Sequence, residues 1–535
     1  MRKQGRLKTL SCLGVLVLAI SMLVGGITPY AVAENESAEP QSITFPLEET
    51  LTLTAYISVP SSYTTVMQTL NDNKVFQEME KMTNIHLEFI TTELSVLLAS
   101  DSLPDMFFEF RDYPGGSEKA VQDGILVDLR DYMQYAPNYS AIMETYPEIA
   151  RELVTDSGMI TGLGTIQLGD EVPWYGLAVN KTLLDELGLE IPETIDEWYI
   201  ALTAMKNAGV EYPLNPSGWS WNTGFNYGIF TGAYGTIYDF YNENGVAKYG
   251  PIEAAFKEFL VTMNKWYSEG LIHPDFITPD GNVKNAQVLS RQMGALPYTY
   301  NLGEISDLEN GVEMVGAPYP SLVKGETVHL RNYNFHNKLI DSIAVSTVNE
   351  HIPETLAWAD LAFSKEGYLL YNYGVEGESW EWEDGAPSVL EQTMMPAELA
   401  SLDKHPVLNY PAVDPAYASY DETELKVLYT IHPTYGFLRT PYNHFNEDLV
   451  ECAMVWAQAS DDWCMPLISQ TAAEANTNSA IMSDVQTFVD ETVIQFILGT
   501  KDLSEFDDFV AQVKDMGIDT VIANKQAALD RYMAR

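Results

Sequence analysis

The segment L-T-L-T-A-Y-I-S-V at residues 51–59 decides the fold, because its alternation of apolar and polar residues predicts a β-strand. The segment I-H-L-E-F-I at 85–90 alternates in the same way, and the apolar M-F-F-E-F at 106–110 predicts a third strand. Apolar residues at helical spacing predict a helix over 64–82, and a shorter helical piece precedes the third strand. This order of elements predicts an α/β fold with a parallel sheet, whose ligand sites lie at the carboxyl ends of the strands.

The amino-terminal residues 1–33 have the three-part layout of a secretory signal peptide. A basic start is followed by an uncharged apolar run over 10–24 and by the small residues A-V-A at 31–33. The run is short for a membrane-spanning helix of ~20 residues, and no cysteine follows it that could carry a lipid. We therefore expect cleavage after Ala33, export from the cell, and a flexible acidic tether over 34–48.

Charge, length and cysteine content narrow the class of protein. The formal net charge is −47, from 76 acidic and 29 basic residues, and this excess argues against binding to nucleic acid or to anionic lipid. The roughly 500 residues after the signal exceed one compact core, which predicts two or more lobes. Only Cys452 and Cys464 follow the signal, so the chain is not a disulfide scaffold; the two could pair or could be buried thiols.

Four parts of the chain carry motifs that occur together in one known family. They are S-L-P-D-M-F-F at 102–108 with G-I-L-V-D-L at 124–129, Y-G-L-A-V-N-K-T-L-L-D-E-L-G-L-E-I-P-E-T-I-D-E-W at 175–198, Y-G-V-E-G-E-S-W-E-W-E-D-G at 373–385, and F-I-L-G-T-K-D-L-S-E-F-D-D-F-V at 496–510. Together they resemble the extracellular solute-binding proteins of carbohydrate ABC importers, in particular the large lipoprotein-type subfamily. Within the second motif, Thr194 can also cap a helix whose first turn holds Asp196 and Glu197.

The resemblance implies a two-lobed periplasmic-binding-protein-like fold of type II, with discontinuous lobes joined by hinge strands. We expect the N-lobe to comprise 49–174 and 342–400, and the C-lobe to comprise 175–341 and 401–535. It also implies that the protein, a monomer, captures an oligosaccharide between the lobes and delivers it to the permease subunits of an ABC importer. No cofactor is expected.

Two departures from the subfamily affect these expectations. The lipidated cysteine is absent, which puts the subfamily's mode of surface retention in doubt. The Asp/Asn/Gly-rich loop that binds calcium in many large members is also missing after the helix that begins near Thr194, so we expect no metal there.

Candidate ligand-binding residues follow from what a sugar offers, which is flat C–H faces and a rim of hydroxyl groups. Aromatic rings stack on the faces, and charged or amide side chains bind the rim. Glu109, Arg111 and Asp112 follow a predicted strand at its carboxyl end, where hydroxyl ligands are expected. The candidate rings are Trp174, Tyr175, Trp219, Trp221, Tyr298, Tyr300, Trp380 and Trp382.

Two other functions compete with the sugar-binding interpretation. A peptide-binding protein of an ABC importer would also use aromatic and acidic residues. A secreted polysaccharide-degrading enzyme needs two carboxyl groups at a suitable distance, and 76 acidic residues leave room for such a pair. The sequence contains no H-E-x-x-H, G-x-S-x-G or G-x-x-x-x-G-K motif, so we expect a binding protein without catalytic residues.

Overall fold

The computed structural model describes residues 42–58, 69–100, 102–108, 110, 113–167, 173–331, 343–377, 380–383, 386–389, 438–439 and 447–535. The predicted signal peptide, and the tether up to residue 41, lie outside these ranges. Within them, no helix combines the length and the apolar character that crossing a membrane requires.

Strands and helices alternate over the first part of the described chain, as the sequence predicts. The strands are, in chain order, β1 (Leu51–Tyr56), β2 (Ile85–Ile90), β3 (Met106–Phe107), β4 (Ile166–Gln167), β5 (Tyr175–Asn180), β6 (Tyr212–Leu214), β7 (Phe240–Glu243), β8 (Val246–Tyr249), β9 (Met293–Thr299), β10 (Met314–Ala317), β11 (Ala344–Val345), β12 (Trp380–Glu383), β13 (Ala386–Val389) and β14 (Leu438–Arg439). The α-helices are α1 (Lys74–Thr83), α2 (Leu94–Leu98), α3 (Gly116–Gln122), α4 (Pro137–Thr145), α5 (Pro147–Leu153), α6 (Lys181–Leu187), α7 (Ile195–Asn207), α8 (Thr223–Asn226), α9 (Ala254–Ser268), α10 (Gly281–Leu289), α11 (Ile352–Asp360), α12 (Lys365–Tyr373), α13 (Glu447–Trp456), α14 (Ala472–Leu498), α15 (Phe506–Asp515) and α16 (Ile518–Ala534).

The first sheet has the strand order β11-β3-β1-β2. Strand β1 pairs in parallel with β2 and with β3, as the sequence predicts, and β11 adds an antiparallel edge. Of the helix predicted over 64–82, residues 64–68 lie outside the described residues. Helix α1 begins at Lys74, because Asn73 is extended and its side chain caps the helix by accepting from Val75 N. The third strand is shorter than predicted, since only Met106 and Phe107 have register partners in β1.

The second sheet has the strand order β10-β5-β9-β6. Its strand β5 is buried along its whole length and runs antiparallel to both β9 and β10. Helix α7 then begins as the sequence predicts: the Thr194 side chain accepts from Glu197 N, and the Glu197 carboxylate accepts from Thr194 N. The most typical motif of the resemblance thus forms a central strand and the helices that follow it.

Each sheet carries its own hydrophobic core. The first core takes its buried side chains from 53–166 and 343–371, and the second takes them from 175–328 and 452–521. The described chain therefore folds as an α/β protein with two lobes, each built from segments distant in sequence. The exact lobe boundaries stay predictions. Cys452 and Cys464 are thiols rather than a disulfide.

Candidate ligand-binding surface

Aromatic residues meet at one end of the second sheet, where β5 begins and β9 ends. Trp174 directly precedes β5, and Tyr175 is its first residue, paired with Thr299 of β9. The Trp174 carbonyl accepts a hydrogen bond of 2.8 Å from Tyr300 N. The antiparallel pairing of β5 and β9 therefore brings Trp174 and Tyr175 close to Tyr300, although more than a hundred residues separate them in sequence.

The loop after β6 carries Trp219 to the same place. Asn215 begins this loop, and its Oδ1 accepts from Ser217 N at 3.0 Å and from Ser217 Oγ at 2.7 Å. Gly218 N then donates to Ser220 O at 3.0 Å, which closes a tight turn around Trp219. The loop 215–220 is therefore held by its own hydrogen bonds, with Trp219 at its exposed tip.

The Trp219 ring stacks on both residues at the start of β5. Its centroid lies 4.8 Å from Tyr175 and 5.1 Å from Trp174, with interplanar angles of 27° and 26°. Tyr227 supports the stack from the side, at 5.0 Å from Tyr175. We call Trp174, Tyr175, Trp219 and Tyr227 the ring platform. Tyr175 is 2% exposed and Trp219 is 60% exposed, so the platform has a buried base and an exposed top ring.

Burial also determines the protonation state of Tyr175 at the base of the platform. It raises the pKa of Tyr175 well above the ordinary value, since the phenolate would lie among apolar atoms. Tyr175 and Tyr227 are therefore neutral phenols near neutral pH, and the platform presents uncharged rings. Such a surface can stack on the apolar face of a ligand, and no group in it is poised for acid–base chemistry.

The structure places the other predicted rings of this lobe differently. Trp221 packs edge-on against Tyr238 at 5.3 Å and against Phe225 at 6.3 Å, beside the second core rather than on the platform. The Tyr298 hydroxyl donates to Glu304 Oε2 at 3.0 Å and accepts from Asn285 Nδ2 at 3.1 Å. Tyr298 and Tyr300 are half-buried. A ligand role for these residues stays a prediction.

Five predicted site residues lie outside the described residues or have side chains that do. Glu109, Arg111 and Asp112 lie outside the described residues. Trp380 and Trp382 lie in β12, which forms a hairpin with β13, but their side chains lie outside the description. Their proposed contacts with ligand stay predictions.

Two cavities lie near the strand ends of the first sheet. One, of about 810 Å³, is lined by Phe110, Tyr113 and Glu118, which lie between β3 and α4, and by Phe240, Met482 and Lys525 of β7, α14 and α16. The other, of about 1000 Å³, is lined by residues that include Tyr56, Ser58, Glu93, Tyr113, Lys119 and Asp123. The residues of the ring platform line neither cavity.

The second cavity lies at the strand ends where the sequence predicts hydroxyl ligands. There Asp123 accepts hydrogen bonds from Lys119 and, at 2.9 Å, from the Tyr113 hydroxyl. These two bonds hold the pKa of Asp123 below its ordinary value, and the bond from Lys119 has the larger effect. Asp123 is therefore a carboxylate. No pattern in the sequence marks Lys119 or Asp123, because charged residues on or beside a short helix are ordinarily only solvated.

No group of three or more His, Cys, Asp or Glu side chains that could hold a metal ion occurs among the residues that the structure describes. The described residues thus combine a stack of aromatic rings, exposed at Trp219, with two separate cavities.

The family follows from comparison with known proteins. A sequence profile described as bacterial extracellular solute-binding protein matches residues 73–368, which is more than half of the chain. The chain belongs to this family, and it is therefore an extracytoplasmic solute-binding protein.

Individual relatives are more distant. The chain is 21% identical over 561 residues to the fructooligosaccharide ABC transporter substrate-binding protein FusA of Streptococcus pneumoniae serotype 4, with 99% of each chain covered. It is 22% identical to the polygalacturonan/rhamnogalacturonan-binding protein YtcQ of Bacillus subtilis, covering 85% of this chain and 88% of that one. Among solved structures, FusA in complex with kestose matches with a TM-score of 0.71 at 18% identity, over 90% of this chain and 99% of FusA. These similarities confirm the two-lobed fold of the periplasmic-binding class.

Proposed function

We propose that this protein captures an oligosaccharide and delivers it unchanged to the permease of an ABC importer. The observation that carries the proposal is the ring platform, in which an exposed Trp219 stacks on two rings of β5. The named relatives support the ligand class, because FusA is described as a fructooligosaccharide transporter's substrate-binding protein and YtcQ as a polygalacturonan/rhamnogalacturonan-binding protein.

The platform suits a sugar for a physical reason. A pyranose or furanose ring has a flat face of C–H groups, which an indole covers while the sugar hydroxyls stay hydrated or bind polar side chains. Because Trp219 is held against other rings of the chain, little side-chain freedom is lost on binding. A preformed stack therefore favours affinity for ring-shaped ligands over extended chains such as peptides.

Delivery to the permease requires that the liganded and the unliganded protein differ in conformation. Two lobes with separate cores can rotate about the strands that connect them, and a ligand that contacts both lobes favours the closed arrangement. In this proposal the permease recognises the closed, liganded form. Catalysis has no part in the cycle, and the sugar leaves as it entered.

Calorimetry against a panel of ligands tests the proposal. The panel contains kestose, an oligogalacturonide, an alginate oligosaccharide and a pentapeptide, each titrated into the protein without its signal peptide. We expect at least one glycan to bind, and we expect Trp219→Ala to weaken that binding by about tenfold or more. The control Leu308→Ala removes a still more exposed apolar side chain, 73% exposed and outside the platform, and should leave the affinity unchanged.

The same samples separate the competing functions. Chromatography of the glycan after long incubation should recover it intact, and the appearance of shorter products would identify an enzyme. Binding of the pentapeptide with no binding of any glycan would overturn the sugar proposal.

A further inference from the structure

A buried lysine lies directly beneath the loop that carries Trp219. Lys284 belongs to α10, and only 6% of its surface is exposed. Its ammonium group donates to Gly218 O at 2.7 Å and to Ser217 O at 3.1 Å. Both acceptors are neutral peptide oxygens in the two residues that precede Trp219.

This arrangement costs free energy. A buried ammonium without a close counter-charge loses most of its hydration, and two carbonyl groups replace that hydration only in part. The cost is visible in its pKa, which burial lowers to about 8, while the charge of Asp280 acts in the opposite direction. Asp280 itself caps α10 by accepting from Val283 N at 3.1 Å. A methionine of similar length would fill the same space without this cost, so packing alone does not explain a lysine.

The loop above the lysine has little freedom on its other side. An added Cβ at Gly218 would lie 2.2 Å from the Tyr175 hydroxyl and 2.7 Å from Thr223 Cβ. Gly218 is therefore pressed against the buried base of the ring platform. The hydrogen bonds from Lys284 act on this same residue, and they fix the orientation of its peptide group.

We propose that Lys284 is the positioning residue of the ring platform: its ammonium group holds the carbonyls of Ser217 and Gly218, and so sets Trp219 in its stack. The part of this inference that concerns sugar rests on the proposed function. Its geometric part does not, because the stack consists of rings of the chain itself. Through these hydrogen bonds Lys284 contacts the loop and not the stacked rings. It therefore acts on ligand only through Trp219.

The geometric part can be tested without any ligand. Two indole rings in a close stack couple their electronic transitions, so the Trp174–Trp219 pair should give a paired signal in far-ultraviolet circular dichroism. Because the chain has 10 tryptophans, the signal is taken as the difference between each protein and the same protein with Trp219→Phe. We expect Lys284→Met to lose most of this signal and Lys284→Arg, which restores donors, to recover part of it. If Lys284→Met does not fold, Lys284→Gln serves in its place.

A matched control is available at the end of α7. The Lys206 ammonium also donates to a backbone carbonyl, that of Glu269, which follows α9 and lies outside the loop 215–220. Lys206→Met should keep the full paired signal. A full signal in Lys284→Met, or a loss of signal in both variants, would overturn the positioning role.

Binding measurements then connect the loop to function. With whichever glycan the wild-type protein binds, we expect Lys284→Met to weaken affinity by about tenfold and Lys206→Met to leave it unchanged. If Lys284→Met abolishes the paired signal but no glycan binds the wild type, the positioning role stands and the proposed function fails. If the glycan binds Lys284→Met and wild type equally well, the positioning role in binding is refuted while the proposed function stands.

Discussion

Gly218 shows how closely a single residue position is determined by its surroundings. The clash of an added Cβ with the Tyr175 hydroxyl and with Thr223 leaves no room for alanine. The loop, which carries exposed residues at 219 and 220, should give way before the buried tyrosine does. A methyl group at this position is therefore expected to displace Trp219 from its stack.

We expect Gly218→Ala to lower glycan affinity by about tenfold, measured by calorimetry, with only a small change in melting temperature. Gly303→Ala is the control, because an added Cβ there meets no atom within 4 Å. Equal affinities of the wild type and Gly218→Ala would contradict the role of the ring platform.

Lys284 gives a second prediction, which concerns stability and pH. Its pKa in the folded chain is lowered by burial from 10.5 to about 8. Between these values the unfolded chain binds more protons at this position, so the free energy of unfolding rises with pH. The wild type should gain stability relative to Lys284→Met between pH 8 and 10, by about 3 kcal/mol at most. Urea denaturation of both proteins across this range measures the difference; a flat or falling difference would show that the lysine is not held in a desolvated site.

The sequence predicted part of the candidate site and missed part of it. Trp219 is predicted because, like Trp221, it stands among glycine, serine and asparagine with little apolar company. Trp174 and Tyr175 are predicted because they come just before the crossing strand that the resemblance implies. Tyr227 and Lys284 were missed, since a tyrosine in an aromatic segment and a lysine on a helix are ordinary features there. Lys284 comes to lie beneath the loop after β6 because α10 leads into β9, and β9 pairs with β6.

Helix α13 packs on the second sheet through two glycines of neighbouring strands. The Trp456 indole donates to Leu177 O at 3.0 Å, and its ring lies over Gly176, where an added Cβ would approach it to 2.3 Å. At Gly316 of β10, an added Cβ would lie 2.8 Å from Cys452 Sγ. Both glycines thus permit the close approach of helix and sheet.

We expect Gly176→Ala to destabilise the protein by about 1–3 kcal/mol, because neither the Trp456 ring nor the central strand can move freely. Chemical denaturation measures the change. Gly281→Ala is the control, since its added Cβ meets no atom within 4 Å. A stability of Gly176→Ala equal to that of the control would show that α13 is not tightly seated on the sheet.

Elements that depend on local pattern were predicted better than those that depend on distant partners. The periods of 51–56 and 85–90 identified β1 and β2, and the Thr194 cap identified the start of α7. By contrast, β11 is only two residues long, and no periodicity of that length exists to be recognised. A strand near 341–347 is expected only as one of the hinge strands that the resemblance implies. Its place in the first sheet comes from pairing with β3, which lies more than two hundred residues earlier.

A cluster of charges joins the carboxyl-terminal helix to the first half of the chain. Asp156, whose side chain is 7% exposed, accepts hydrogen bonds from Arg531 and Arg535, and its backbone N donates to Ser469 Oγ at 2.8 Å. Arg531 also pairs with Glu474 Oε2 at 2.6 Å. Because Asp156 lies between residues of the first core and α16 packs in the second, this cluster links the two lobes.

The cluster predicts how the two lobes respond to acid. Burial alone would raise the pKa of Asp156, but hydrogen bonds from Arg531 and Arg535 outweigh burial and hold the pKa below its ordinary value. The carboxylate therefore contributes stability above its unfolded pKa of about 3.9, and this contribution is lost as pH falls through the folded value.

We expect Asp156→Asn to lower the free energy of unfolding by about 3 kcal/mol at pH 7, since it leaves two arginines without their shared partner. The difference from wild type should shrink below about pH 4, whereas Glu144→Gln, at an exposed carboxylate of α4, should match the wild type at every pH. Denaturation curves of the three proteins at pH 3, 5 and 7 decide the matter, and a difference that persists undiminished at pH 3 would show that the lobes are not joined through the Asp156 charge.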